Sequence, residues 1–222
     1  LVHEHACVAI NPDMPLDRAA LLGCAVLTGA GAIFRDSKVT PGETVAVIGC
    51  GGIGLSAINA AKIAGAGKII AIDPVAEKRA LARKMGATHD LDAMAPDLVK
   101  QVLKLTDGGV HYAIEAVGRP QTAETAWHVL RRGGTATILG MIAPGQSVSI
   151  PGPTFLSGKK LQGSLAGSMQ FPIDLPRLVQ MYLDGVLDLD TMVAERIRLE
   201  DINHAFDNLR QGDAVRSVIE FA

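Results

Sequence analysis

Four glycines occupy the stretch VAVIGCGGIGLSAI (residues 45–58), in which a run of apolar residues leads into a helix-like pattern. Gly49, Gly51 and Gly54 have the spacing G-x-G-x-x-G, which between a strand and a helix is typical of a dinucleotide-binding loop. The first glycine permits a tight turn, the second lets the main chain approach a pyrophosphate, and the third lets the helix pack closely on the strand. Free N–H groups at the helix start, aided by the helix dipole, would bind the anion without a basic side chain.

A carboxylate follows the next predicted strand. Asp73 lies nineteen residues after Gly54, where an acid can accept hydrogen bonds from both hydroxyls of an adenosine ribose. A 2′-phosphate there would meet a like charge, and Pro74 and Val75, rather than an arginine, follow the acid. The sequence therefore predicts NAD rather than NADP as the cofactor.

A cysteine, Cys24, lies upstream in the small-residue run LLGCAVLTGAGA. A lone cysteine in an apolar sequence is usually inert packing, and from the residues alone that interpretation stays open beside metal ligation. The three cysteines, Cys7, Cys24 and Cys50, lie far apart and form no CxxC pair. This spacing argues against a disulfide framework and a complete structural zinc site, and it favours a reducing, cytoplasmic setting.

The composition is that of a compact protein with a small-molecule ligand. The 222 residues are 48% hydrophobic and 20% charged, and their formal net charge is −2. This charge gives no electrostatic reason to expect nucleic acid or an anionic membrane as a partner. We expect neither a secretory leader nor a membrane span, because Gly, Pro or charge interrupts every long apolar run.

The elements that must position these residues alternate from residue 44 onward, as in parallel βαβ units. The sequence therefore predicts an α/β fold with a Rossmann-type, doubly wound parallel sheet. Predicted strands are Thr44 to Ile48, Lys68 to Ile72, Val110 to Glu115, Thr135 to Leu139 and Val215 to Phe221. Predicted helices are Ile53 to Ala64, Glu77 to Met85 with Gly86 as its cap, Gln121 to Leu130 with Gly133 and Gly134 as its stop, Leu175 to Leu183 and Glu200 to Leu209.

Three ranges divide the chain by pattern. Residues 26–166 form the predicted cofactor-binding domain. Residues 1–25 and 167–222 fall outside the βαβ rhythm, and we expect them to be the end of the N-terminal part and the C-terminal return of a second domain. The opening LVHEHACVAI has the pattern of a strand in mid-domain and begins with Leu1 rather than Met, so we expect further residues of that domain before it.

Several segments of the chain resemble the zinc-dependent medium-chain alcohol dehydrogenases: LLGCAVLTGAGA, VTPGETVAVIGCGGIGLSAI, AIDPVAEKRALARKMGATH, AIEAVG and DNLRQGDAVRSVIEF. The resemblance extends from Val2 to Phe221. It implies that the parallel sheet is inserted into a partial, mostly β, GroES-like catalytic domain whose N-terminal part lies outside this chain. It also implies Zn²⁺ as a second cofactor, with Cys24 as one of the three protein ligands of the catalytic zinc.

The same resemblance assigns residues to the dinucleotide. It implies that Thr28 packs near the nicotinamide, that Lys78 reaches the adenosine ribose and that Arg216 touches the pyrophosphate. Gly51, Gly52 and Ile53 would line the dinucleotide, and Val117, Gly118, Leu139, Ser164 and Ala166 the nicotinamide side. From the residues alone, Lys78 and Arg216 would be solvated charges, and the small and apolar residues would be strand-end packing.

The activity that the resemblance implies is the reversible oxidation of an alcohol to an aldehyde or ketone, with zinc activating the alcohol and NAD accepting the hydride. The remaining zinc ligands and the proton relay would lie in the N-terminal part, so the chain alone is expected to bind NAD and to be inactive. Two alternatives stay open. A zinc-free medium-chain reductase of activated double bonds is disfavoured by Cys24 and Asp73, and a non-catalytic NAD-binding module is disfavoured by the start at Leu1.

Three further features carry weaker predictions. His3 and His5 flank Glu4, and strand alternation would put both imidazoles on one face, where a metal ion could bind, although an exposed strand without metal is favoured. Cys50, inside the glycine loop, is expected to fill space, with oxidation as the alternative. The segment GQSVSIP alternates like an edge strand, and pairing of that edge across a two-fold axis would make a homo-oligomer, either a dimer or a tetramer.

Overall fold

Six parallel strands form the main sheet of the computed structural model, which describes residues 1–211 and 216–221. The strands lie in the order β3-β2-β1-β4-β5-β6, the order of a Rossmann-type doubly wound sheet, and the predicted fold class is therefore confirmed. Their bounds are β1 Thr44–Ile48, β2 Lys68–Asp73, β3 His89–Asp92, β4 Val110–Glu115, β5 Leu130–Ile138 and β6 Lys160–Gly163. Two short parallel strands, β7 Glu195–Ile197 and β8 Ser217–Ile219, form a separate sheet.

Helices cover both faces of the main sheet. Because no face of the central strands meets water, β1 is a continuous apolar run whose last four residues are buried, rather than an alternation of apolar and polar residues. The helices are α1 Leu16–Ser37, α2 Gly52–Ile63, α3 Ala76–Met85, α4 Leu98–Leu105, α5 Pro120–His128, α6 Phe171–Leu183 and α7 Ile202–Gln211. Helix α3 ends at Gly86, as predicted, with a φ of 123° that favours glycine.

Helix α1 is long and unusually apolar. Two α-helical segments, Leu16–Leu21 and Leu27–Gly31, alternate in it with π-helical segments, Leu22–Val26 and Ala32–Ser37. By length and composition it could cross a membrane, so the expectation that no apolar stretch approaches that length is wrong. Most of the helix is buried in the protein, as the core helix of a globular domain also is. The predicted domain boundary after residue 25 falls inside this helix and stays a prediction.

Two segments predicted as strands are not strands. The opening LVHEHACVAI contains a 3₁₀ turn, Glu4–Ala6, and no strand, and GQSVSIP is irregular. The outer strand on that side of the sheet is instead β6, which pairs with β5 through Thr135 to Ile138. An alternating pattern forms a strand only where a neighbour offers backbone partners, and neither segment has one in the described chain.

The region after α5 also differs from its prediction. Helix α5 ends at His128, and Leu130 already pairs with Val110, so β5 begins well before the predicted Thr135. Gly133 and Gly134 lie inside this strand, where its register shifts against β4, rather than stopping the helix. Glycines are common at such irregularities because the chain there bends out of the regular ladder.

Four elements were missed: β3, β6, β7 and α4. The sequence of α4, LVKQVLKL, has apolar residues at helical spacing and could have been predicted as a helix. The β3 sequence HDLD contains two aspartates, which are depleted in strands. Its pairing with the end of β2, from Ile70 to Asp73, overrides that weak local preference. Val215, the start of the predicted last strand, lies outside the described residues, and β8 covers Ser217–Ile219 of that range.

We expect Gly54→Ala to destabilise the fold strongly, because a Cβ at Gly54 would overlap the carbonyl oxygen of Gly49. The Gly49 carbonyl belongs to the backbone and cannot rotate away from the added Cβ, so the free energy of unfolding should fall by at least about 2 kcal/mol. Gly23→Ala is the matched control, because Gly23 is also helical and its added Cβ meets no atom within 4 Å from any described residue beyond its own stretch of helix. Alanine there should stabilise the helix by up to about 1 kcal/mol. Equal effects in denaturant titrations would contradict the close helix–turn contact.

Candidate functional site

The carboxyl ends of the strands meet along one edge of the sheet. Strand β1 ends at Ile48, β2 at Asp73 and β4 at Glu115. Backbone hydrogen bonds connect the strands just beyond these ends: Gly49 N donates to Ile72 O over 2.8 Å, and Ala116 N donates to Ile48 O over 2.9 Å. Strand order reverses direction between β1 and β4, which is where doubly wound sheets bind ligands. The crevice at this edge is therefore the candidate site.

The glycine loop has the backbone that its spacing predicts. Gly49 has a φ of 94°, which favours glycine, and a Cβ there would lie 2.7 Å from Val117 Cγ2. Gly51 precedes the first residue of α2 and has extended backbone, and no side chain in the described part of the chain caps the helix. Apart from its chain neighbours, no described residue has an atom within 4 Å of an added Gly51 Cβ, so open space faces the helix start. Uncapped N–H groups beside open space can bind an anion.

A guanidinium lies against this loop. An added Cβ at Gly52 would be 2.5 Å from Arg216 Nη2, so only a glycine lets the arginine come this close. The Nε atom of Arg216 is buried and has no hydrogen-bond partner within residues 1–211 and 216–221. A buried charged donor without a partner is costly, and an anion on the loop would satisfy it. Arg216 therefore lies beside the start of α2, and its contact with a pyrophosphate stays a prediction.

Asp73 connects the glycine loop to the start of α3. The residue is 6% exposed, its Oδ2 accepts from Cys50 N over 2.8 Å, and its Oδ1 accepts from Val75 N over 2.9 Å. Each oxygen has a second lone pair that can still accept a ribose hydroxyl. The two backbone donors stabilise the carboxylate and fix its position at the crevice. Without them, an acid at the end of a strand could rotate away.

Sequence reasoning missed Arg79 beside this acid. Its Nη1 donates to the carbonyls of Asp73, over 2.7 Å, and Pro74, over 3.0 Å, and its Nε is 3.5 Å from Asp90 Oδ2. The arginine lies six residues after the acid, one turn into α3, a spacing that could have suggested it. Lys78 is partly exposed nearby, and the charges of both cations act on the Cys50 thiol in the loop.

An open cleft of about 870 Å³ continues the crevice away from Asp73. The cleft is lined by six of the residues that the sequence assigns to the site, namely Cys24, Thr28, Ile53, Leu139, Ser164 and Ala166. Val117 and Gly118 lie at its border instead, against Gly49 and Met141 respectively. The cleft wall is mainly apolar, as suits a ring that must be shielded from water.

A left-handed turn in this wall has no signal in the sequence. Ala166, Gly167 and Ser168 have φ values of 52°, 66° and 52°, and a left-handed conformation costs about 1 kcal/mol for each of the two non-glycine residues. Its Gly167 packs against the backbone of α1: an added Cβ there would lie 2.6 Å from Thr28 O. Strain that persists beside a cleft is typical of ligand sites.

Cys24 is exposed within the π-helical segment of α1 and faces the cleft. Among the described residues no group of three or more His, Cys, Asp or Glu side chains could hold a metal ion, so Cys24 is at most one ligand of a site. The strand geometry expected for His3 and His5 is wrong, because His5 lies in the 3₁₀ turn Glu4–Ala6, His3 caps that turn, and the ring centroids are 4.8 Å apart.

Cys50 fills space, as favoured from the sequence. It is fully buried, and burial, together with the charge of Asp73, raises the pKa of its thiol to about 12. The thiolate is the form that oxidises, so this thiol is inert at neutral pH.

Comparisons with known proteins agree with this geometry. A family model described as "Zinc-binding dehydrogenase" matches residues 52–184. A probable S-(hydroxymethyl)glutathione dehydrogenase 1 of Schizosaccharomyces pombe is 36% identical over 99% of this chain and 59% of its own length. An alcohol dehydrogenase class-3 of Oryza sativa subsp. japonica is also 36% identical, over 99% and 58%.

A solved structure extends the similarity to three dimensions. Benzyl alcohol dehydrogenase from Acinetobacter calcoaceticus superposes with a TM-score of 0.93 at 33% identity, over 97% of this chain and 59% of that protein. The chain thus spans somewhat more than half the length of the relatives it matches.

We expect native-state thiol titration at pH 8 to label Cys7 and Cys24, which are exposed, and to leave Cys50 unlabelled. Because the pKa of Cys50 is raised to about 12, a shift from pH 7 to pH 9 should not create a reactive thiolate there. Unfolding in denaturant should release the third thiol. Rapid labelling of three thiols in the folded protein would contradict the burial of Cys50.

Proposed function

Because the chain belongs to the zinc-binding dehydrogenase family, we propose that it is the cofactor-binding part of a zinc-dependent, NAD-dependent dehydrogenase that interconverts an alcohol and an aldehyde or ketone. The observation that carries the proposal is the glycine loop, which no described side chain caps, with Asp73 on one side and, on the other, the buried Arg216 Nε, which no described residue hydrogen-bonds. The names of relatives as alcohol and S-(hydroxymethyl)glutathione dehydrogenases support a small alcohol as the substrate class.

In this proposal the chain holds NAD along the strand ends. The main chain of Gly51, Gly52 and Ile53, at the start of α2, binds the diphosphate together with Arg216. Asp73 binds the adenosine ribose, and Lys78 lies near it. The nicotinamide end would lie against Thr28, Val117 and Leu139.

The preference for NAD over NADP rests on the surroundings of Asp73. A 2′-phosphate there would face a buried carboxylate that two backbone N–H groups hold in place. The nearby Arg79 guanidinium is engaged by two backbone carbonyls and the Asp90 carboxylate. Neither group is therefore arranged to accept an additional phosphate.

Cys24 would supply one thiolate ligand to zinc at the cleft, and the proposal places the other ligands outside these 222 residues. When bound, zinc would activate the alcohol oxygen and NAD would accept the hydride. The chain's own contribution is the shape of the cleft: Leu139, Met141 and Ile142 give it an apolar wall that excludes water from the reacting groups.

Assembly and location complete the proposal. We propose a homo-oligomer, a dimer or tetramer, in the cytoplasm. The exposed Phe155 and Leu156, which follow the irregular segment GQSVSIP, supply an apolar surface for such contact. Sedimentation of the full-length protein as a monomer at high concentration would contradict the oligomer.

Replacement of Asp73 tests the cofactor assignment. We expect Asp73→Ser to lower NAD⁺ affinity by about tenfold or more, because bonds to the ribose hydroxyls are lost, and to leave NADP⁺ binding unchanged or stronger. Calorimetric titration of the chain measures both. Asp92→Ser is the matched control, since Asp92 ends the neighbouring strand β3 and also accepts from the second following residue, Met94 N, over 2.8 Å. Equal losses in both variants would remove the assignment.

Metal analysis of the full-length gene product tests the role of Cys24. We expect Cys24→Ser to lose the catalytic zinc, because a hydroxyl is a far weaker zinc ligand than a thiolate. Cys7→Ser, at the other exposed cysteine, should retain it. Unchanged zinc content in the Cys24 variant would contradict ligation.

A further inference from the structure

Glu115 is a fully buried acid that the proposed function does not use. It ends β4, between Ile48 of β1 and Ile138 of β5 in the sheet, and its exposed fraction is 0%. Burying a carboxylate is costly unless hydrogen bonds compensate it. The arrangement of those hydrogen bonds indicates what the side chain does.

One oxygen of Glu115 makes all the hydrogen bonds found for its carboxylate. Its Oε1 accepts from Val117 N over 2.9 Å and Gly118 N over 2.8 Å, and it lies 2.7 Å from the hydroxyl of Thr122 on α5. In the described structure Oε2 is buried and has no hydrogen-bond partner. A single carboxylate oxygen, Oε1, thus holds the turn after β4 in place by accepting from two of its backbone N–H groups.

The clamped turn touches both halves of the crevice. Val117 Cγ2 lies 2.7 Å from the position of a Gly49 Cβ, so this side chain rests directly on the glycine loop. On the other side, a Cβ at Gly118 would be 2.7 Å from Met141 O, and Met141 lines the cleft.

The main chain of Glu115 holds the same cleft wall. Its carbonyl accepts from Leu139 N over 2.8 Å and from Gly140 N over 3.2 Å. Glu115 therefore links two parts of the site. Its side chain holds Val117, which contacts the glycine loop, and its backbone, together with Gly118, contacts the Leu139–Met141 wall.

We propose that Glu115 is a positioning residue, which sets the spacing between the glycine loop and the Leu139–Met141 wall and thereby the affinity for the nicotinamide half of the cofactor. The inference rests on the proposed function, because it requires the dinucleotide to lie across this edge. Asp73, on the far side of β1, holds the adenosine half through separate hydrogen bonds, so that half does not depend on Glu115.

Binding of two ligands to the chain separates this role from general stability. AMP probes the adenosine half alone, and NAD⁺ probes both halves. We expect Glu115→Leu, which leaves the Val117 and Gly118 N–H groups without an acceptor, to weaken NAD⁺ binding about tenfold and AMP binding less than twofold. Thr122→Val removes the hydroxyl beside Oε1, together with its contacts to the Arg119 backbone at the start of α5, and keeps both backbone donors to Glu115. It should give the same pattern with a smaller NAD⁺ loss, which keeps the test decisive should Glu115→Leu not fold.

Two further variants serve as comparisons. Glu115→Gln retains an acceptor at the Oε1 position and should bind NAD⁺ within about twofold of the unaltered chain. Asn59→Ala removes another buried side chain, which donates to Met85 O and accepts from Asp188 N away from the crevice. It should lower the melting temperature while both ligands bind as before.

The outcomes are distinct. Loss of NAD⁺ affinity with retained AMP affinity supports the positioning role. Equal weakening of both ligands, or no weakening of either, overturns it while the proposed function stands. Failure of the unaltered chain to bind either ligand overturns the proposed function and this inference together.

Discussion

The backbone contact between helix α2 and the turn at Gly49 is the constraint on which the site depends. Because Gly54 has no side chain, the first turn of α2 lies directly on the Gly49 carbonyl. This places the helix start at the carboxyl end of β1, with its N–H groups uncapped and facing open space. Any separation of helix and turn would also displace the Cys50 N–H that holds Asp73 and the surface on which Val117 rests.

Backbone donors, rather than cations, satisfy the buried acids around this contact. Asp73 accepts from two N–H groups and Glu115 from two N–H groups and lies close to a hydroxyl. A carboxylate held by backbone groups stays in place without using a positive charge. The guanidinium of Arg216 lies against the loop, and its Nε has no hydrogen-bond partner among the described residues, as the proposed diphosphate site requires. Neutral backbone groups thus hold the two buried acids, and Arg216 supplies the positive charge beside the glycine loop.

The cleft side of the site is built differently, from close packing of small residues. A Cβ at Gly29 of α1 would overlap the Ile53 carbonyl, and one at Gly31 would overlap the Gly167 carbonyl, so α1 lies directly against α2 and the left-handed turn. This contact brings Thr28 and Cys24 of α1 to the same cleft as Ala166. The high content of small residues in LLGCAVLTGAGA therefore reflects backbone-to-backbone packing.

The sequence by itself determined the βαβ order, the glycine loop, the acid at the end of β2 and the inert packing of Cys50, because these depend on local patterns in which few residue types serve. It predicted β1 and β4 with their observed bounds. For β1 the reason is that a strand buried in a parallel sheet is a nearly continuous apolar run. Only the tertiary structure decided that HDLD is a strand, that GQSVSIP and the opening segment are not, and that Gly133 and Gly134 lie within β5, because pairing partners distant in sequence outweigh weak local preference. The roles of Arg79, Glu115 and the left-handed turn likewise arise from three-dimensional contacts: their residue types are ordinary, and what distinguishes them is which backbone groups the fold brings within reach.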